Sequence, residues 1–267
     1  MKKLLTLALL FLALPATAQN KPIWSKAATP IAECGVQVRA GQRFKSPDSS
    51  ITAELRCHPT VRDVDPEPYL HFIFPKGRTQ DIDLQSADVS DGYRRPQELL
   101  WAPDSKAFLV NGSENAYSGF FVDVYRIVDG RVLKVDVAHH IQHDMVATFL
   151  PCKADGLDEN QCRRIERNPE FNVSGLAWVD DSLAIVVFAE VPCSSSYGGI
   201  MCQVRGYKLN ASDGRIIQTL SANELKRDWQ DSMAWKMNIP SPPKYKSPNK
   251  KLEVSDVVSA NPDAPRK

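Results

Sequence analysis

The chain has 267 residues, 24% of them charged and 43% hydrophobic, with a formal net charge of +1. Near-neutrality excludes a global electrostatic signature of nucleic-acid or anionic-membrane binding. The size suits one large all-β domain or two small ones.

Residues 1–18 read as a secretory signal. Lys2 and Lys3 supply the positive end, Leu4 to Leu14 is an apolar run too short to span a membrane, and Ala16-Thr17-Ala18 is a small-residue cleavage site. The mature chain is then expected to begin at Gln19, in the periplasm or outside the cell. No later stretch is apolar enough to span a membrane. Six cysteines follow, Cys34, Cys57, Cys152, Cys162, Cys193 and Cys202. An even count in an exported chain reads as disulfides. Spacing suggests the neighbour pairs Cys34–Cys57, Cys152–Cys162 and Cys193–Cys202. Each of the last two closes a loop of about ten residues, worth ~2–3 kcal/mol on the chain-entropy view.

A pair of turns occurs three times. The first turn is Lys45-Ser-Pro-Asp-Ser-Ser50, then Trp101-Ala-Pro-Asp-Ser-Lys106, then Trp178-Val-Asp-Asp-Ser-Leu183. Each precedes an apolar strand, a polar loop, a second apolar strand and a Gly-Arg step, at Gly77-Arg78, Gly130-Arg131 and Gly214-Arg215. Self-similarity at this period indicates stacked β-units. Three units are expected at about 35–85, 96–137 and 174–220, within one domain spanning 19–239. Proline presets φ for the first turn, while aspartate and serine bond nearby amides. Asp180 is compatible with the same turn where proline is missing. Trp101 and Trp178 end strands where a large ring can pack between sheets.

Inside the units, Ile51 to Arg56, Tyr69 to Phe74 and Gln80 to Leu84 read as strands of the first. Lys106 to Val110 and Phe121 to Ile127 belong to the second. Asp129-Gly130 is a hairpin signal, and Leu133, Val135 and Val137 then alternate with polar residues. Leu183 to Phe188 is a continuous apolar run, the pattern of a strand buried on both faces. The third unit is longest because Pro192 to Cys202 is inserted between its middle strands. The connector 138–173 is nearly a unit in length and reads as a degenerate blade or an insertion. Ser221-Ala-Asn-Glu224 is a capping box. Leu225, Trp229, Met233 and Met237 continue it as an apolar stripe, predicting a helix over 221–238. Residues 240–267 have the composition of a disordered tail.

The run Leu99-Leu-Trp-Ala-Pro-Asp-Ser-Lys-Ala-Phe-Leu-Val110 resembles the strand–turn–strand of TolB-type and WD-like β-propeller blades. Their usual Trp-Ser-Pro-Asp-Gly-Lys has a glycine where Ser105 stands here. Trp178-Val-Asp-Asp-Ser matches less well, and Lys45-Ser-Pro-Asp-Ser matches in the turn. The resemblance covers the three units and implies a mainly β, propeller-like antiparallel meander of three to four blades, incomplete if only three form, with one C-terminal helix. Closed propellers use 4–8 blades, so a β-sandwich is the alternative. No activity follows from such blades.

Candidate chemistry is sparse. His139, His140 and His143, with Asp144, are the densest group of potential ligands. On a helix His139 and His143 share a face and suit a metal ion such as Zn²⁺; on a strand they would not. The plain alternative is a polar surface bend. There is no G-x-S-x-G elbow, and the S-x-x-K spacings at Ser241 and Ser247 fall in the proline-rich tail. No cofactor is indicated. Two aligned loops carry tyrosine among small residues, Asn111 to Ser118 and Ser194 to Gly199. Such mixtures suit adaptable recognition, so Tyr117, Ser118, Ser195, Ser196 and Tyr197 are candidate binding residues; the alternative is a pair of solvated hairpin tips. The expectation is an exported, non-catalytic protein that binds another protein of the cell envelope, one form being an inhibitor or immunity-type protein. The rival is a metal-dependent enzyme or carrier using His139, His140 and His143.

Overall fold

A computed structural model describes residues 21–32, 34, 41–59, 67–84, 96–113, 119–149, 159–160, 162–163, 171–193 and 201–237. These form three antiparallel sheets. The first holds β2 (Arg43–Lys45), β3 (Thr52–Cys57), β4 (Pro68–Ile73) and β5 (Thr79–Asp83). The second holds β6 (Gln97–Trp101), β7 (Ala107–Ser113), β8 (Phe120–Val128) and β9 (Arg131–Val135), with β1 (Thr29–Ile31) added on β6. The third holds β10 (Asn172–Val179), β11 (Ala184–Glu190), β12 (Val204–Asn210) and β13 (Ile216–Ser221). Helix α1 (Ala138–Phe149) lies between the second and third sheets in sequence, and α2 (Ala222–Trp229) follows β13. Each repeat unit is thus one four-stranded meander, and no barrel closes among the described residues.

The sheets stack in chain order through alternating faces. In the second sheet Leu99, Phe108, Val110, Tyr125 and Val132 join the core shared with the first. Leu100, Leu109, Val122, Val124 and Val135 join the core shared with the third, which also takes Ile141 and Met145 of α1. Phe72, Phe108 and Tyr125 stack in succession, with centroids 4.9 and 4.8 Å apart. Beyond the third sheet, Leu176, Val186, Phe188 and Leu220 pack with Leu225, Met233 and Met237. The opposite end of the stack is charged: Arg43, Glu54, His71 and Asp81 lie in one register row across β2 to β5. Arg43 and Arg56 pair with Glu54 at 2.9 and 3.0 Å, and hydrogen bonding from Arg56 holds its carboxyl below the usual range. A polar face of this kind terminates a stack of repeats.

The repeated turns interlock. The Asp48 N–H donates to Ser105 Oγ of the next unit at 3.0 Å, and the Asp104 N–H donates to Ser182 Oγ at 3.2 Å. Ser49, Ser105 and Ser182 all have positive φ, of 60, 62 and 73°. A serine there carries left-handed strain of about 1 kcal/mol that glycine would not. At Ser105 and Ser182 the side chain returns a buried contact between units. The second turns touch as well: Arg78 Nη1 donates to Asp129 O at 2.8 Å. Asp129 and Gly130 have φ of 51 and 66°, the backbone of a type I′ hairpin. The third turn differs from expectation. Asp180 and Asp181 have φ of 50 and 52°, which proline could not adopt, so the missing proline marks another turn geometry.

Four side-chain amides act as surrogate strand neighbours. Gln80 Nε2 donates to Val132 O at 3.1 Å, and its Oε1 accepts from the Val132 N–H at 2.8 Å. Gln42 holds Pro30 O and the Ala32 N–H in the same way. Asn111 holds both backbone groups of Gly175, and Gln230 holds Trp235 O and the Met237 N–H. The last explains a correction. The helix expected over 221–238 ends at Trp229, and a 3₁₀ turn covers Gln230–Ser232. Met233 and Met237 remain buried, at 0% and 6% exposure, on an extended return where Met233 bridges Ser25. Their spacing of four serves tertiary packing rather than helix continuation. The Ser221–Glu224 capping box forms.

Cys34–Cys57 and Cys193–Cys202 are bonded. Cys162, expected to pair with Cys152, is instead a buried free thiol; Cys152 lies outside the described residues. Two disulfides fit an oxidising compartment. No described helix is long and apolar enough to cross a membrane. The signal segment 1–18 and the tail 240–267 lie outside the described residues.

Candidate functional site

The two tyrosine loops leave from the same end of adjacent sheets. The first springs from Ser113 at the end of β7 and returns at Phe120; the second springs from the end of β11 and returns to β12. Their tips, with Tyr117, Ser118, Ser195, Ser196 and Tyr197, lie outside the described residues. Asn111, Gly112 and Ser113, expected in the loop, instead complete β7, and Asn111 and Ser113 are buried. Phe121 of β8 lies over Gly112, where a β-carbon would come within 2.3 Å of its ring.

Asn172 ties the two loop bases together. Its Oδ1 accepts from the Phe120 N–H at 3.1 Å, and its Nδ2 donates to Glu190 Oε1 at 2.8 Å. The starts of β8 and β10 and the end of β11 are thereby fixed on one another. Cys193–Cys202 closes the second loop just beyond Glu190. Burial pushes the Glu190 carboxyl above the usual range, opposed by the Asn172 amide.

Beneath this end sits a buried polar node. Glu98, 1% exposed, accepts from the backbone N–H groups of Ile23, Trp24 and Ser25 at 2.9, 3.3 and 2.8 Å, and from Asn111 Nδ2 at 2.9 Å. A buried carboxylate with this many donors is satisfied and holds its donors in place. The N-terminal segment is thus docked on the second sheet, and the Trp24 ring meets Phe120 edge-on at 5.5 Å. Ser25 Oγ donates to Leu176 O at 2.8 Å, reaching the third sheet. Asn111 and Asn172, each the first residue of an N-x-S triplet, are therefore structural amides, both buried.

The histidines fall on α1, the element that lets His139 and His143 share a face. Both are exposed and His140 is half-buried. Asp144, grouped with them in the sequence, faces elsewhere: it accepts from the Tyr207 hydroxyl at 2.9 Å and pairs with Arg205 Nε at 2.9 Å. Burial, then Asp144, raises the Tyr207 phenol well above its usual value, so it stays a donor. Among the described residues no three His, Cys, Asp or Glu side chains converge to hold a metal ion.

Sequence reading missed Glu98, Asn172 and Glu190. Glu98 left one signal, a carboxylate directly before the apolar run Leu99-Leu100-Trp101. The arrangement positions two loops on rigid strands; no nucleophile, base and orienting group meet among the described residues around it. No family model, curated protein or solved structure matches the chain.

Proposed function

We propose that the chain is exported to the periplasm or secreted, and that it binds another protein of the cell envelope without catalysing a reaction. The loops around Tyr117 and Tyr197 form the recognition surface, and an inhibitor or immunity-type role is one form of this reading. One observation carries it: Asn172 joins the bases of both loops, and the Cys193–Cys202 bond restrains the second. Loops preorganised in this way lose less entropy on binding. The four-stranded meanders support the blade-like reading of the repeats.

Native capture from an envelope extract, with the mature chain as bait, tests the proposal. A specific partner retained by the wild type and lost with Tyr117→Ala/Tyr197→Ala supports it. No partner above background, or equal retention by both baits, removes it.

A second reading keeps one observation, the shared face of His139 and His143 on α1. Elemental analysis of untagged protein decides it. Less than about a tenth of an equivalent of metal, with no uptake on titration, removes a site that needs its ligands to bind.

A further inference from the structure

Two glutamates sit at the loop end, and they are provided for differently. Glu98 has four donors, three backbone N–H groups and the Asn111 amide. Glu190 has one among the described residues, Asn172 Nδ2 at 2.8 Å. A carboxylate drawn out of water needs several donors or a cation to hold its charge. Glu98 has them and Glu190 does not.

No described cation makes up the difference. Across the strands Glu190 faces Asn172 on β10 and Val204 on β12, both uncharged. Next to Val204, Arg205 turns to Asp144 of α1. On β8, Asp123 is paired with Lys134. The N-terminal segment carries Lys21 and Lys26, and α2 with the return after it carries Glu224, Lys226, Arg227, Asp228, Asp231 and Lys236. Glu224 is held in the capping box and Arg227 by Asp228. None of these charges acts on the Glu190 carboxyl: burial raises it above the usual range, and the Asn172 amide alone opposes.

The same amide is the mechanical link. Asn172 Oδ1 accepts the Phe120 N–H at 3.1 Å, so the side chain that Glu190 holds at one end holds the start of β8 at the other. Glu190 itself ends β11, just before the cystine that closes the second loop. An Asn172 side chain released by Glu190 is free to turn, and the Phe120 N–H then loses its acceptor.

We propose that Glu190, Asn172 and Phe120 form a proton-operated clasp between the two loop bases. With a proton on Glu190 the uncharged acid stays in place, accepts from Asn172, and the clasp is closed. Without the proton the carboxylate is better solvated by water, leaves the amide, and the two bases part. The direction follows from linkage. The closed form binds the proton more tightly than the open, solvated form, so closure is favoured as pH falls and is lost as pH rises through the Glu190 midpoint. Each unit by which that midpoint exceeds the ordinary glutamate value is about tenfold in the ratio of closed to open. The loops then meet a partner best in mildly acidic surroundings, a consequence that rests on the recognition reading; the clasp itself does not.

Carbon-13 and nitrogen-15 NMR of the mature chain from about pH 4 to 8 tests the clasp without a partner. The Glu190 carboxyl resonance should titrate with a midpoint above the ordinary glutamate value, and the Phe120 amide and the Asn172 side-chain amide should follow with the same midpoint. Protection of the Phe120 amide, corrected for intrinsic exchange, should fall about tenfold per unit of that displacement as pH rises across it. In Glu190→Gln, Phe120 should keep one shift and one protection throughout. In Asn172→Ala, Glu190 should still titrate high while Phe120 no longer follows. A Glu190 midpoint at or below the ordinary value overturns the proposal. So does a Phe120 amide that ignores the Glu190 titration, or one that keeps its pH course in Glu190→Gln. Each of these failures leaves the recognition reading standing, because no partner enters the measurement.

Discussion

Replacing Ser105 should separate the two roles that serine plays in the repeat. It is 3% exposed, sits at φ 62° and accepts the Asp48 N–H of the preceding unit. Ser105→Ala removes the acceptor and leaves the backbone strain, so a loss of about 1–1.5 kcal/mol is expected. Ser105→Gly removes the same acceptor but relieves about 1 kcal/mol of left-handed strain, leaving a change near zero. Ser49 occupies the same turn position and is exposed. Ser49→Gly should therefore stabilise by about 0.5–1 kcal/mol. Urea unfolding at neutral pH with disulfides intact reads all three. In a domain this size 1 kcal/mol corresponds to roughly 2–4 °C in Tm. A neutral Ser105→Ala, or a Ser105→Gly more costly than Ser105→Ala, would refute the interlock.

Other outcomes follow from single contacts. Gly206→Ala drives a methyl into Leu225, so α2 should lose amide protection and the chain about 2 kcal/mol, by hydrogen exchange and urea unfolding; unchanged α2 protection contradicts this. Trp178 Nε1 donates to Leu100 O at 3.2 Å across the sheets, whereas buried Trp101 Nε1 has no partner among the described residues. Trp178→Phe should thus cost about 1 kcal/mol more than Trp101→Phe, and equal costs would contradict the difference. The raised Glu190 carboxyl means that the folded state binds its proton more readily than the unfolded chain. Its contribution is full below the ordinary glutamate value and is lost as pH rises through the raised one. Glu190→Gln should therefore stabilise near pH 7, with the advantage shrinking toward about pH 4; a pH-independent difference contradicts the burial. Alkylation of denatured, unreduced protein should label Cys162 and spare Cys34, Cys57, Cys193 and Cys202. Failure to label Cys162 would mean that it is bonded.

Local signals read well from the chain. Asp129-Gly130, the Ser221 capping box and the alternating strands all depend on neighbours in sequence, and each formed where expected. Trp178 does bridge two sheets. What escaped depends on distant partners. Glu98 reads as the end of a polar link until Ile23, Trp24 and Ser25, 73 to 75 residues earlier, supply its donors. Asn111 reads as the start of a loop, yet it completes β7, where its amide holds both backbone groups of Gly175, 64 residues later. Met233 and Met237 keep helical spacing while Gln230 and Ser25 draw them into an extended return. Ser105 in place of a turn glycine could not be explained until the neighbouring unit was seen to donate to it. The two loops align in the sequence, but the residue that joins their bases, Asn172, carried no local mark.

The recognition claim rests most directly on the affinity of a captured partner for the two loops. Titration calorimetry of that partner against the mature chain and against Tyr117→Ala/Tyr197→Ala should show a loss of at least about tenfold, or about 1.4 kcal/mol. Equal affinity, with both proteins folded, would place the binding surface elsewhere on the molecule.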